Sequence, residues 1–462
     1  MSGRRILTTF ALLVVTSGAV DSVYAQAPSA YRVEDLGSLG GRYLIALAIN
    51  NNGDVAGYGD LANGTIHAFR WTRSGGLEDL GANGGVMSQA YGLNDNGDAV
   101  GVYLDASNNA NGFIARRGGV MQNLRTPERP IVRVDSITND GRMAGMLFSF
   151  TPSFQVHAFR TLANGTLQDL GNTVYASVAW HQNEAGQVTG YEATTASGDA
   201  QSSFRFSDGA GKVDLGTLGG ARSSGLSINS SGVVVGWSED ATATNWSRAF
   251  RARPGLAIED LGTLGGGVAG AEGINDAGTI VGWTIGQFGW TGFLYTDAAG
   301  MIDLITRIPP PTSGSRIVWG AHGINNAGQI ILEYEVEARH GTYLLTPAQD
   351  TEPPVMAELA AAPNVLWPPT GQMVSVTVQA SATDDFDQAP VCRITGVMNS
   401  EGPAAGGDAD VVITGALTLS LRATRLATGL GRSYRVFVGC TDHAGNVSRA
   451  DTVVYVPHDR RR

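Results

Sequence analysis

The sequence predicts an all-β protein: a seven-bladed β-propeller closed by its N-terminal strand, followed by an Ig-like β-sandwich. Three observations predict this fold class. One motif recurs seven times, glycine accounts for 63 of 462 residues while only 16% of residues are charged, and the two ends of the repeat region are complementary. A period of about 45 residues is typical of four-stranded propeller blades. Abundant glycine with little charge favours short strands and tight turns over helices.

The repeated motif reads Ile-Asn-x-x-Gly-x-Val/Ile-x-Gly. Its asparagine position is occupied by Asn50, Asn94, Thr138, Asn183, Asn229, Asn275 and Asn325, and glycine follows three residues later each time. Asparagine can bond its own backbone, and glycine adopts the positive φ that a tight hairpin needs. The motif therefore predicts a hairpin, with strand A before the asparagine and strand B after the glycine.

Two further elements complete each unit. An aromatic residue marks strand C, and Asp-Leu-Gly or a diverged form of it marks strand D, with leucine at positions 36, 80, 124, 170, 215, 261 and 304. The chain opens with a lone strand D at residues 31–36, and its last unit, residues 319–346, supplies A, B and C only. Pairing these ends would complete the seventh blade and leave no exposed sheet edge.

The amino-acid sequence of these elements resembles that of the HAF-type extracellular repeat proteins of bacteria over about residues 31–346. The resemblance is carried by His67-Ala68-Phe69, His157-Ala158-Phe159, and the stretches DLGTLGG at 214–220 and 260–266. It implies export and a repeat fold, and brings no established chemistry. Two units depart from the pattern. One has Asn123-Leu124-Arg125 in place of Asp-Leu-Gly, and the other has His181-Gln182 where an apolar residue usually precedes the asparagine.

The N-terminus predicts export. Residues 1–25 carry Arg4 and Arg5, an apolar run at 6–20, and small residues at the positions before a cleavage site, which is the pattern of a signal peptide. The expected location is therefore secreted or cell-surface, with the periplasm as an alternative. A formal net charge of -11 disfavours a nucleic-acid partner, and no later apolar run is long enough for membrane insertion.

The C-terminal part predicts a second domain. Residues 347–353 form a proline-containing linker, and residues 354–457 contain strands with alternating polarity, as expected for a sandwich. The segments VLWPP at 365–369 and CTDHAGN at 440–446 resemble bacterial Ig-like modules. Cys392 and Cys440 are the two cysteines of the chain, and an oxidising compartment predicts a disulfide between them, with two free buried thiols as the alternative.

Known catalytic motifs are missing from the sequence. It contains no Gly-x-Ser-x-Gly, His-Glu-x-x-His or phosphate-binding loop, so no cofactor and no metal site are predicted. His67 and His157 occupy equivalent positions in their repeats. We expect them to pack where strand C begins, and a catalytic pair is the less favoured alternative. Asp384, Asp385 and Asp387 crowd one turn, where a solvated turn is preferred over a cation site.

One position in strand A varies while its neighbours stay small. Three residues before the asparagine position, the units carry Leu47, Tyr91, Asp135, Trp180, Leu226, Glu272 and His322. Asp135, Glu272 and His322 could meet near the propeller axis, where paired carboxylates would suit glycoside chemistry. The preferred alternative is that they pair with local groups such as Arg133.

The loops between strands B and C vary more than the turns at the opposite face. They contain Trp246, Phe288 and Trp290, and variable loops on a rigid scaffold are where binding residues concentrate. The sequence therefore predicts a non-enzymatic binding or adhesion protein that recognises an extracellular glycan or protein with this loop face. The alternatives are a carbohydrate-active enzyme using Asp135 and Glu272, and a structural surface component without a specific ligand.

Overall fold

A computed structural model of the chain describes residues 27–149, 155–171, 175–242, 247–286, 289–310, 316–336, 339–387, 389–402, 409–428 and 430–459. Within these ranges the fold is all-β, with a single 3-10 turn at Leu304–Arg307. The described residues contain no helix with the length and hydropathy needed to cross a bilayer. The predicted signal peptide, residues 1–25, lies outside the described residues.

Six of the seven repeats fold as consecutive antiparallel strands in the predicted order A, B, C, D, and the last repeat supplies A, B and C. The strands of the first four units, with the N-terminal strand, are β1 (Ala30–Asp35), β2 (Gly40–Ile49), β3 (Val55–Leu61), β4 (Ile66–Thr72), β5 (Gly76–Asp79), β6 (Met87–Leu93), β7 (Ala99–Leu104), β8 (Ala110–Ala115), β9 (Met121–Asn123), β10 (Ile131–Ile137), β11 (Met143–Ser149), β12 (Gln155–Thr161), β13 (Leu167–Asp169), β14 (Ser177–Gln182), β15 (Val188–Ala193), β16 (Gln201–Ser207) and β17 (Gly211–Gly216). The remaining three units contain β18 (Gly219–Ile228), β19 (Val234–Asp240), β20 (Ser247–Ala252), β21 (Glu259–Asp260), β22 (Ala269–Ile274), β23 (Ile280–Gly286), β24 (Gly289–Thr296), β25 (Gly300–Asp303), β26 (Arg316–Ile324), β27 (Ile330–Val336) and β28 (Arg339–Ala348).

The N-terminal strand pairs with the last unit. β1 runs antiparallel to β28, with Ala30 opposite Ala348 and Asp35 opposite Tyr343. The Asp35 carboxylate bonds Arg339 of β28 at 2.7 Å and the Tyr334 hydroxyl of β27 at 2.8 Å. β28 therefore continues two residues beyond the predicted boundary at 346, because β1 gives its end a pairing partner.

The repeated asparagine serves two purposes. Asn50 Oδ1 accepts bonds from the backbone N–H groups of Asn52 at 3.0 Å and Asp54 at 2.8 Å, which closes the turn. Its Nδ2 donates to the backbone carbonyl of Asn94 in the next unit at 2.9 Å. The same link is made by Asn94, Asn183, Asn229, Asn275 and Asn325, the last of which donates back to the carbonyl of Asn50 at 2.9 Å. Thr138 has no amide to donate, so the third unit lacks this link.

The other two repeated elements bond each other across strands C and D. His67 Nδ1 lies 2.8 Å from Asp79 of Asp-Leu-Gly, and His157 lies 2.8 Å from Asp169. The same carboxylates accept the N–H of the glycine that follows the leucine. His67 and His157 thus belong to separate structural pairs in the first and third units.

Apolar side chains from neighbouring units form the core of the repeat region. The aromatic residue of strand C is fully or almost fully buried in six units, at Phe69, Phe113, Phe159, Phe204, Phe250 and Phe293. Burial of each such side chain stabilises the fold by about 1.5–3 kcal/mol. In the last unit Tyr343 stands at this position and stacks on Tyr334 at 3.7 Å between ring centroids.

The C-terminal residues form two further sheets. One has the order β29-β30-β33-β32 and the other β31-β34-β35, formed by β29 (Val355–Ala362), β30 (Met373–Thr383), β31 (Val391–Asn399), β32 (Val411–Ile413), β33 (Thr418–Arg422), β34 (Gly431–Thr441) and β35 (Val447–Pro457). Apolar residues of both sheets, among them Val376, Leu419, Tyr434 and Val454, share one buried cluster. The two sheets therefore have a core separate from that of the repeats.

Cys392 and Cys440 form a disulfide between neighbouring strands of one sheet, because β31 and β34 place them directly opposite each other. The bond spans 48 residues, and closing such a loop stabilises by about 4 kcal/mol on the chain-entropy estimate. We expect Cys392→Ala with Cys440→Ala to lower the free energy of unfolding of this module by about 2–4 kcal/mol. Urea unfolding of oxidised, reduced and double-variant protein measures this, and an unchanged midpoint in the double variant would contradict it.

Candidate functional site

The variable residue of strand A is the extra residue of a β-bulge. In every unit the register between strands A and B skips one residue, so that Ala46 pairs with Gly57 and Ala48 with Ala56 while Leu47 faces no partner. The residues skipped in this way are Leu47, Tyr91, Asp135, Trp180, Leu226, Glu272 and His322, which we call the bulge ring. Bulges turn a side chain away from the regular ladder and are common beside functional sites.

In six of the seven units a glycine stands opposite the bulge. A Cβ at Gly190 would lie 1.8 Å from the carbonyl oxygen of Val178, and one at Gly57 would lie 2.0 Å from that of Ile45. Four other units have glycine at this position, at Gly101, Gly145, Gly236 and Gly282. In these six units the close approach at the bulge leaves no room for a side chain at the last glycine of the repeated motif, whereas in the last unit Leu332 stands at this position.

The bulge ring encloses an axial cavity of about 180 Å³, lined by all seven of its members. Contacts between units continue around it. Arg133 lies over the rings of Tyr91 and Trp180, Trp180 donates from Nε1 to Ser224 Oγ at 3.0 Å, and His322 contacts Glu272. The three predicted residues Asp135, Glu272 and His322 thus line one cavity.

Asp135 is held by one of its two oxygens. Oδ1 accepts from Arg133 Nε at 2.7 Å and from Nη2, while Oδ2 is buried with no hydrogen-bond partner among the described residues. Burial raises the pKa of Asp135 to about 6, against the opposing effect of Arg133. The Arg133 guanidinium itself is stacked 4.1 Å from the ring centroid of Tyr91 and 4.8 Å from that of Trp180.

His322 bridges two glutamates. Nδ1 lies 2.6 Å from Glu272 Oε2, Nε2 bonds Glu333 of β27, and Glu333 also pairs with His340 of β28. Burial alone would lower the pKa of His322, but the two carboxylates outweigh it and raise that pKa to about 10. His322 is therefore an imidazolium at neutral pH, and its charge holds the pKa of Glu333 below the usual range despite burial.

Strand B contributes a second set of side chains, two of which, Tyr191 and Glu333, contact the bulge ring. These residues follow the asparagine position by eight and include Tyr58, Tyr191, Trp237, Trp283 and Glu333. Tyr191 packs 6.2 Å from Trp180, and Glu333 raises the pKa of Tyr58 in addition to burial. Sequence reasoning missed Glu333 and His340. The aromatic residues that recur eight positions after the asparagine were a signal in the sequence that could have pointed to Glu333.

The predicted loop residues are described only in part. Trp246 and Phe288 lie outside the described residues. Trp290 is 43% exposed, and its ring centroid lies 5.4 Å from that of Trp283. Trp290 lies in β24, opposite Ile285 of β23, so it stands at the start of strand C and not in the loop before it.

A separate cluster of carboxylates lies where the linker meets the C-terminal sheets. One oxygen each of Asp350, Asp384 and Asp385 lies within 4.8 Å of the other two, a spacing that could hold a metal ion. Burial, followed by the neighbouring carboxylates, raises the pKa of Asp350 to about 6 against a bond from Glu352 N–H. Sequence reasoning identified the turn at 384–387 and missed Asp350, because that residue lies in the predicted linker.

The sequence matches no family model and no curated protein. Among solved structures, the chain is similar to TolB from Acinetobacter baumannii, with 12% identity, 61% of this chain and 76% of that chain covered, and a TM-score of 0.34. It is similar to the β-propeller domain of the Trilobed protease from Pyrococcus furiosus, described as having an open velcro topology (8% identity, 70% and 96% covered, TM-score 0.43). A gluconolactonase from Xanthomonas campestris gives 11% identity, 69% and 90% covered, and a TM-score of 0.33. The structural neighbours are propeller proteins of differing activities, and they assign no chemistry to this chain.

Proposed function

We propose that the chain is a secreted, non-enzymatic binding or adhesion protein of the HAF type. Its repeats would form a seven-bladed propeller closed by β1, and its C-terminal sheets an Ig-like sandwich. The ligand is an extracellular glycan or protein, recognised at the B-to-C loop face. Two features support the export that this role needs: the N-terminal signal pattern and the disulfide, since disulfides persist in oxidising compartments.

The observation that carries the proposal is the pair formed by Trp283 and Trp290. Trp283 lies over Gly270, where a Cβ would approach its indole ring to 2.6 Å, and beside Gly320 of the next unit. Trp290 stands next to it at the loop end and is 43% exposed. A large aromatic side chain left exposed offers a face for stacking on a sugar ring or an apolar side chain.

A double variant tests this role. We expect Trp283→Ala with Trp290→Ala to weaken glycan or protein binding by about tenfold or more, as for aromatic hot spots. Binding is measured on a glycan array and by pull-down from extracellular material, then quantified by titration calorimetry with the ligand found. Trp367→Ala is the matched control, because Trp367 is 40% exposed but lies in the C-terminal module.

Two outcomes would contradict the proposal. One is equal loss of binding in the control and the double variant. The other is release of reducing ends from a glycan that Glu272→Ala abolishes, which would support the carbohydrate-active enzyme instead. The pKa of about 6 at Asp135 is the observation that favours this alternative, because a carboxyl with a raised pKa suits a general acid. Self-association without any ligand would support the structural surface component.

A further inference from the structure

We propose that the C-terminal module binds an acidic polysaccharide through Arg393 and Arg449, which together hold one of its carboxylate or sulfate groups. The site lies on the sheet formed by β31, β34 and β35, which is separate from the sheets of the repeats. It therefore goes beyond the proposed function and does not depend on it. Three observations support it: the alignment of the two arginines, their lack of partners, and the groove that they line.

The register of this sheet places both arginines on one face. Arg393 of β31 and Arg449 of β35 stand opposite the same residue of the strand between them, Gly439 of β34. Residues directly opposite each other point to the same face of a sheet. Neighbouring strands are about 4.8 Å apart, so the Cα atoms of the two arginines are about 10 Å apart. An anion above Gly439 is thus within reach of both side chains.

The two arginines are on the face that points away from the core of the module. Cys392 and Cys440 occupy the positions next to Arg393 and Gly439, and both belong to or pack against the buried cluster of the two sheets. Because successive residues of a strand face opposite sides, Arg393 and Gly439 face outward. The disulfide between the two cysteines also fixes β31 against β34 at this point.

Both guanidinium groups lack a partner. Arg393 and Arg449 are exposed and form no hydrogen bond or ion pair within the part of the chain that the structure describes. By contrast, Arg435 on the same face of β34 is bound by both carboxylate oxygens of Asp451, at 2.6 and 2.9 Å. A free guanidinium presents its N–H donors in one plane, a geometry that matches two oxygens of a carboxylate or sulfate. Two such groups can hold an oxyanion from two sides.

A groove of about 510 Å³ is lined by the two arginines and by Gly439, Thr395 and Thr441. A Cβ at Gly439 would lie 3.1 Å from Thr395 Cγ2, so glycine leaves this part of the groove open. The volume falls in the range of roughly 300–1,000 Å³ that is typical of ligand sites. The threonine hydroxyls can both donate hydrogen bonds to sugar hydroxyls and accept hydrogen bonds from them.

The place of the groove favours a polysaccharide over a peptide. The groove lies on the face of the sheet, where the backbone of β34 is already paired with β31 on one side and β35 on the other. A peptide that adds to a sheet uses free backbone groups at an edge, and this face offers none. Recognition here depends on the charged groups and hydroxyls of the ligand, and an acidic polysaccharide carries both along its chain.

The charges around the groove favour an anion. Asp442 also lines it, but this residue is only 6% exposed. Its carboxylate accepts hydrogen bonds from Asn446, at 2.8 Å from the backbone N–H and at 3.0 Å from Nδ2. Two free arginines therefore face one carboxylate whose oxygens are both engaged. Because the chain has a formal net charge of -11, affinity for a polyanion would report this local patch and not the charge of the whole protein.

The test measures binding to the complete mature chain by titration calorimetry. Trigalacturonate is the carboxylate probe and dextran sulfate the sulfate probe, with maltotriose as the neutral glycan and poly-glutamate as the acidic peptide. We expect at least one acidic glycan to bind more tightly than maltotriose and poly-glutamate, and the tighter of the two identifies the oxyanion. Arg393→Gln with Arg449→Gln should weaken its binding by about 10- to 100-fold, the usual effect of losing hydrogen bonds to a charged group.

Arg435→Gln is the matched control. It removes a positive charge from the same face of the sheet, but the Arg435 guanidinium is already bound by Asp451. We expect it to change the affinity by less than about threefold, because an exposed charge outside the groove acts only through screened electrostatics. A salt titration of the native chain is a second readout. Raising NaCl from about 50 to about 500 mM should weaken binding by about tenfold or more, since both arginines are exposed.

Several results would overturn the site: no binding of either acidic glycan, equal binding by native protein and the double variant, or an affinity that does not change with salt. Equal weakening by Arg435→Gln, or tighter binding of maltotriose or poly-glutamate than of both acidic glycans, would overturn it as well. None of these results bears on the proposed function, which Trp283→Ala with Trp290→Ala tests in the repeat region.

Discussion

Tyr31→Ala will lower the free energy of unfolding of the repeat region by about 3–5 kcal/mol, the usual cost of deleting a fully buried aromatic ring. Tyr31 is 0% exposed and packs in one cluster with Val318, Leu332 and Leu345 of the last unit. Its loss would detach β1 from β28 and leave the edge of β28 unpaired, which favours aggregation. Chemical denaturation followed by circular dichroism measures the change.

Tyr31→Phe is the control for this prediction. The Tyr31 hydroxyl is buried without a hydrogen-bond partner among the described residues, so its removal should leave stability unchanged or slightly increased. A Tyr31→Ala chain that unfolds at the same denaturant concentration as the native chain would show that the N-terminal strand does not hold the last unit.

His322→Gln will lower stability by about 3–5 kcal/mol at pH 6, because it leaves the partly buried carboxylates of Glu272 and Glu333 near each other without the cation between them. Glutamine has a similar volume and no charge, so the loss reports the charge. Since the pKa of His322 rises from 6.5 to about 10 in the folded chain, its stabilisation is full below pH 6.5 and disappears as pH rises through 10.

The difference in unfolding free energy between native protein and His322→Gln should therefore shrink steadily between pH 6.5 and 10. Urea titrations at four or five pH values in this range measure the difference. Taking the difference removes the contributions of other groups that titrate there, because both proteins contain them. A constant difference across the range would mean that His322 is neutral in the folded chain and that the two glutamates are held by other contacts.

Local chemistry in the sequence was sufficient to predict the strands. Turn residues, the buried aromatic of strand C and the aspartate of strand D recur with the period of the fold, so each unit could be located from the sequence. These recurring residues bond groups within their own turn or loop. Asn50 and Asp79, for example, each accept hydrogen bonds from backbone N–H groups two to four residues further along the chain. The link from Asn50 to Asn94 was not predictable, because it depends on how units lie side by side.

From the sequence, the candidate site was predictable only as a position of strand A that varies among the repeats. Comparing the repeats showed that the position of Asp135 differs among units, but the bulge that turns it toward the axis arises from close approach at Gly145, where a Cβ would lie 2.3 Å from the Arg133 carbonyl. The sequence-based hypothesis that Arg133 pairs with Asp135 accounts for the contacts of only one carboxylate oxygen, Oδ1. The unpartnered Oδ2 and the flanking rings of Tyr91 and Trp180 depend on side-chain packing between three units.

The most direct test of the central claim, that the B-to-C loop face of the repeat region binds an extracellular ligand, is a crystal structure of the mature chain with the glycan or protein fragment that binds most tightly. The expected result is ligand density in contact with Trp290. Saturating binding in solution together with density only on the C-terminal module would contradict it.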